Sequence, residues 1–143
     1  MEQELADFFN RYADLTNAAI TGKAVDAGEF ANKFASFIVE SSPVGVMGGG
    51  NDENFRAKIP SGFNFYRKIG ISSMTILSKE VTIIDDLHAM VKITWASGYR
   101  NKTQEQSSIN FDVFYLVTMK NGPKIFAYVT GDEQASLQKH GLI

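Results

Sequence analysis

The chain has no cysteine, three prolines and a single tryptophan in 143 residues. Without cysteine there is no disulfide framework, no thiolate zinc site and no cysteine nucleophile, and nothing marks an oxidising compartment. A surplus of either charge is also missing, with 14 Lys+Arg facing 16 Asp+Glu for a formal net charge of -2. Proteins that track phosphate backbones carry a clustered basic surplus, so nucleic acid is not expected as a partner. No stretch approaches the ~20 consecutive apolar residues that cross a bilayer. The start, Met1-Glu2-Gln3-Glu4-Leu5, lacks the basic residues and apolar run of a secretory leader. The expectation is a soluble cytoplasmic protein with no membrane partner, folded as one domain over residues 1–143. A chain of this size buries roughly two thirds of the surface its unfolded form exposes and needs no staple.

What is present is periodic. Leu5, Phe8, Phe9, Tyr12, Leu15, Ala19 and Ile20 recur at helical spacing, which predicts an amphipathic helix over about residues 3–21, ending near Gly22. A second, short helix is expected after a cap at Asp26, with Phe30, Phe34 and Phe37 on one face. Residues 37–48 read as strand, bend and strand around Pro43. Gly48-Gly49-Gly50 then reads as a loop, Asp52 as the region of a cap, and the following segment as a third helix interrupted near Pro60 and Gly62 and closing at Gly70.

After residue 71 the period changes to alternation. Met74 to Ile84, Val91 to Tyr99, residues 109–120 and residues 124–130 predict four long strands. Asn121-Gly122 supplies the hairpin between the last two, because both central residues of that tight turn need positive φ. Residues 132–140 are left for a final helical turn or two. Helices followed by a run of antiparallel strands indicate an α+β fold.

Three stretches carry a likeness to a known family: Asn10-Arg11-Tyr12-Ala13-Asp14-Leu15, Val39-Glu40-Ser41-Ser42-Pro43-Val44-Gly45 and Asn64-Phe65-Tyr66-Arg67, with the hairpin around Asn121-Gly122. In order and spacing the chain resembles the nuclear transport factor 2-like superfamily, of the SnoaL-like and ketosteroid-isomerase-like kind. The resemblance implies N-terminal helices packed in a strongly curved, mainly antiparallel sheet, a cystatin-like cone or α+β barrel with a pocket at its wide end. It also implies a small hydrophobic molecule as ligand and a homodimer through the sheet face. From the ketosteroid isomerases it carries over an oxyanion-donor role for Tyr12. The general-base position falls on Ser42 or, in a shifted register, on Glu40, and the second oxyanion group on Phe114 or Tyr115. This incomplete match leaves steroid isomerisation unsupported.

Acidic residues set among apolar neighbours are candidates for acid/base work, because burial moves their pKa toward the working pH. Asp14, Glu40 and Asp112 meet that description. Asp14 reads first as a solvated helix position. Glu40 is placed at the cone mouth, and Asp112 either in the pocket or in a dimer interface. Tyr12, Glu40 and Asp112 are therefore the candidate catalytic residues. Trp95 and Tyr99 share one strand face, Phe126, Tyr128 and Thr130 another. With Phe114 they are the expected pocket lining, the alternative being a filled core. Serine at position 97 is counted among the residues alternating with that tryptophan face. His88 and His140 stand alone, so neither a metal site nor a serine triad is expected, and no cofactor is implied. Gly48-Gly49-Gly50 reads as a flexible rim loop able to gate the pocket. The functional expectation is a small-molecule-binding protein, with acid/base catalysis on a hydrophobic ligand as its enzymatic form. The alternative is a non-catalytic dimerisation or protein-interaction module.

Overall fold

The computed structural model describes all residues, 1–143. The apolar series from Leu5 to Ile20 lies buried along one side of helix α1, Glu2–Ile20. Glu2 and Glu4 stand in its first turn, where unpaired N–H groups favour negative charge. Helix α2, Ala27–Ala31, is capped by Asp26, whose Oδ1 accepts from the Gly28 amide at 2.8 Å.

Phe34 and Phe37 do not continue that helix. Phe34 opens strand β1, Phe34–Ser42, because the Phe34-to-Val39 stretch finds strand partners, beginning with Ile125. Phe37 consequently points outward and is 59% exposed. Strand β2, Gly45–Gly50, returns antiparallel along β1. The three glycines expected in a rim loop are thus part of an edge strand, held by the pairing of Ile38 with Gly49 and Phe37 with Gly50. At Gly48 a Cβ would stand 3.3 Å from the Phe37 ring, so the bare backbone suits the packing there.

Helix α3, Glu53–Lys68, begins where Asp52 accepts from the Phe55 amide at 3.0 Å. It runs unbroken through Pro60, whose ring lies on the exposed side. The long strands follow as β3, Ile71–Ile83; β4, His88–Arg100; β5, Gln106–Thr118; and β6, Lys124–Thr130. Asn121 at φ 62° and Gly122 at φ 89° make the turn between β5 and β6. The tail is helix α4, Glu133–Lys139, capped by Asp132.

The six strands form one sheet in the order β2-β1-β6-β5-β4-β3, antiparallel except for the β1–β6 pair. Register shifts leave three extra residues in β1 opposite β6, one extra residue at each of two points in β3 and one in β6, which bends and twists the sheet. The sheet curves around α1 without closing. Its inner face carries Val91, Ile93, Val117 and Ile125, all fully buried against the helices. No helix is long and apolar enough to cross a membrane.

Candidate functional site

Strand register decides which side chains meet. A single inner-face row crosses all six strands as Met47, Glu40, Tyr128, Tyr115, Val91 and Val81. The neighbouring outer-face row is Val46, Ser41, Val129, Phe114, Lys92 and Glu80. The inner row ends in a cleft of about 890 Å³, bounded by α1, α3, β1, β2 and the β6–α4 junction. The apolar stripe of α3 (Phe55, Ile59, Phe63 and Tyr66) faces this cleft and stays half-buried.

Aromatic rings form the floor. Tyr12 lies 5.9 Å from Trp95, 5.8 Å from Tyr115 and 5.1 Å from Phe30, centroid to centroid. These edge and tilted contacts are the favoured geometries of π systems and fix the rings. The Trp95 indole N–H can only donate, and it donates to the Tyr115 hydroxyl at 3.1 Å. Tyr115 in turn interacts with the Tyr12 hydroxyl. Tyr12 has no other polar side-chain partner and lines the cleft floor. Burial pushes its phenol up to about 12, the Tyr115 contact offsetting part of the rise. Burial also drives Tyr115 well above the ordinary phenol range.

Two carboxylates stand above this floor. Glu40 pairs directly across from Tyr128, whose hydroxyl donates to its Oε2. Burial, and then this bond to Glu40, raise the Tyr128 phenol. On the facing side, Tyr66 donates to Glu133, its hydroxyl lying 3.3 Å from each carboxylate oxygen. Burial raises the Glu133 pKa, the Tyr66 bond pulls it back, and the Glu40 charge raises it again. Neither carboxylate has a cationic partner, since the ion pairs of the chain are Arg11–Glu29 and His88–Asp85. No group of three or more His, Asp and Glu side chains is placed to share a metal ion.

Of the residues expected at the site, Tyr12, Glu40, Trp95, Tyr128 and Thr130 line the cleft, as does Ser42. Four others lie elsewhere. Asp112 is on the outer face, exposed, accepting from the Thr94 hydroxyl at 2.6 Å. Phe114 shares that face, with the Lys92 ammonium 5.7 Å from its ring, so Tyr115 is the inward member of the pair. Phe126 was expected beside Tyr128, but the register slip that pairs Leu116 with Ala127 and Val117 with Ile125 turns it outward. It packs edge-on against His88. Tyr99 keeps the inner face but sits at the far end of β4, against the His140 ring. Ser97 is inward and buried too, its Oγ without a partner, rather than alternating with Trp95. Asp14 is exposed.

The profile of the NTF2-like proteins, DUF6841, matches residues 3–133. The chain belongs to this NTF2-like family. No curated protein matches it. Among solved structures, it is similar to an NTF-2 like protein of unknown function from Shewanella oneidensis MR-1, with a TM-score of 0.67 at 15% identity over 92% of this chain and 98% of that one. It is also similar to an NTF2-like protein with a cystatin-like fold from Novosphingobium aromaticivorans, with a TM-score of 0.66 at 13% identity over 98% and 88%. A ketosteroid isomerase-like protein from Erwinia carotovora atroseptica gives a TM-score of 0.56 at 12% identity over 92% of each chain. At these identities the likeness is one of fold: the NTF2-like cone, with this chain's own residues in the cleft.

Sequence reasoning did not single out Glu133 or Tyr66 as site residues. Gly131-Asp132-Glu133 has the composition of a turn and helix cap, which it is. Only the docking of α4 at the end of β6 carries Glu133 over the cleft, and no local pattern encodes that docking.

Proposed function

We propose that this NTF2-like protein binds an apolar small molecule in the cleft and performs acid/base chemistry at a carbon next to a carbonyl. The observation carrying this reading is the inner-face row that sets Glu40, held by Tyr128, above the Tyr12–Tyr115–Trp95 floor. Glu40 is the proton acceptor. It takes a proton from the carbon, the C–H electron pair moves into the C–C bond, and the carbonyl π electrons move onto oxygen. Tyr12 donates to that oxygen, its own hydroxyl positioned by Tyr115 and Trp95. A donor already in place and shielded from water stabilises developing charge without reorganising at the moment of reaction.

The test needs no knowledge of the natural substrate. In deuterated buffer, 2-tetralone exchanges the hydrogens beside its carbonyl for deuterium, and NMR reads the rate. The protein is expected to accelerate exchange above buffer, and Glu40→Gln to abolish the acceleration. Tyr12→Phe is expected to lower it by about 10²-fold. Exchange at the buffer rate with bound tetralone refutes the acid/base part.

One observation favours a second reading, a module that pairs with a copy of itself. The outer-face row exposes Val46 at 73% and Val129 at 45%, with Phe37 nearby in β1. Exposed apolar side chains gathered on one sheet face favour an interface. Light scattering of the wild type and of Val129→Lys separates the cases: a dimer that Val129→Lys dissociates supports the interface, and a monomeric wild type refutes it.

A further inference from the structure

The charge of the cleft is one-sided. Glu40, Asp52, Asp132 and Glu133 line it against one cation, Lys58, which is exposed on α3. Asp52 and Asp132 cap helices, so their carboxylates are in use. Glu40 and Glu133 differ. Each is held by a tyrosine hydroxyl and by no basic side chain, Glu40 by Tyr128 and Glu133 by Tyr66, and both line the cleft. Two carboxylates on one cleft without a countercharge repel each other, and the Glu40 charge raises the Glu133 pKa. Around them stand π faces: Tyr128 lies 6.3 Å from Phe34 and 6.3 Å from Tyr115, and Phe34 lies 5.3 Å from Phe55. Aromatic faces combined with unpaired carboxylates are the complement of a desolvated organic cation, and they repel an anion.

We propose that the ligand of this cleft is a hydrophobic cation, an ammonium group carried on an alicyclic or aromatic frame. The frame packs on the aromatic floor, and the ammonium lies against Glu133 and the Tyr128 ring, leaving Glu40 facing the carbon that gives up its proton. This rests on the reading of the cleft as a ligand site and adds to it the charge of the ligand. It also gives Glu133 a purpose, since that carboxylate has no step in the proton transfer described above.

Three bicyclic probes of nearly one shape separate the possibilities: 2-aminotetralin as its ammonium, neutral 2-tetralone, and tetralin-2-carboxylate. Calorimetry at low ionic strength leaves the charges unscreened. The ammonium is expected to bind about tenfold tighter than the ketone, and the carboxylate most weakly. Glu133→Gln should lower the ammonium-to-ketone affinity ratio by about fivefold. Raising the salt should do the same for the unaltered protein, which keeps the test independent of how that variant folds. If the ketone binds as tightly as the ammonium, or the carboxylate more tightly, the cation inference falls and the cleft remains a ligand site. If none of the three binds, both fall together.

Discussion

Tyr115→Phe removes one oxygen and tests the construction of the cleft floor. In the native protein that oxygen accepts from the Trp95 indole at 3.1 Å, with Trp95 3% and Tyr115 4% exposed. The indole N–H has no other acceptor within reach, so the variant leaves a buried donor unpaired. An unsatisfied buried donor costs about 1–3 kcal/mol. Taking about 2 kcal/mol and the usual unfolding entropy per residue, the midpoint of thermal unfolding should fall by about 6–7 °C. Trp95 is the single tryptophan, so its emission follows urea unfolding and its indole N–H gives one resonance in the nitrogen–proton spectrum. The variant should unfold at lower urea with an unchanged slope, and the indole resonance should move upfield. Pairing it with Trp95→Phe isolates the bond, because the two losses should then be strongly non-additive. A loss under about 0.5 kcal/mol with the indole resonance in place would show that the hydroxyl does not hold Trp95.

Other expectations are independent of the floor. Asn51 Nδ2 donates to the carbonyls of Ala31, Phe34 and Ala35 at 2.8, 3.2 and 3.3 Å, tying the start of α3 to the start of β1. Asn51→Ala should cost about 1–3 kcal/mol by urea unfolding, since the half-buried carbonyls lose their donor. Burial pushes the Tyr12 phenol up from its ordinary 10.0 to about 12. Its contribution is therefore complete below pH 10 and is lost as the pH rises through 12, about 3 kcal/mol in all. Absorbance at about 295 nm should show Tyr12, Tyr66, Tyr115 and Tyr128 still protonated at pH 11 until the chain unfolds. Gly122→Ala places a side chain at φ 89° and should lower stability by about 1 kcal/mol by thermal unfolding.

The elements that are legible in the sequence are those whose signal is local. The spacing of Leu5 to Ile20 specifies α1, the alternation from Val91 to Tyr99 specifies β4, and Asn121-Gly122 specifies the turn before β6. The misplacements follow from pairing, which is not local. Phe34 and Phe37 carry helical spacing, yet strand partners across β6 and β2 draw them into β1. Gly48-Gly49-Gly50 has loop composition but becomes an edge strand because β1 offers it a backbone partner. Phe126 and Tyr128 obey the period of two within β6, and the register slip in its pairing to β5 overrides it. For the site, Tyr12 and Glu40 stand out because an aromatic hydroxyl and a carboxylate sit inside apolar runs. Asp112 has the same local appearance, and only the parity of β5, fixed by Val113 and Tyr115 facing inward, sends it to the outer face. Glu133 and Tyr66 are carried to the cleft by the packing of α4 and α3.

The central claim is that one open cleft lies between the helices and the inner sheet face, with Trp95 at its floor. Methyl-labelled methionine reports on it directly, because Met47 and Met74 line the cleft while Met90 lies on the outer face. Titrating 2-tetralone into the labelled protein should move the Met47 and Met74 methyls and the Trp95 indole resonance together, saturably, with Met90 unmoved. Saturable movement of Met90 alone would place the binding surface on the other side of the sheet and contradict the account.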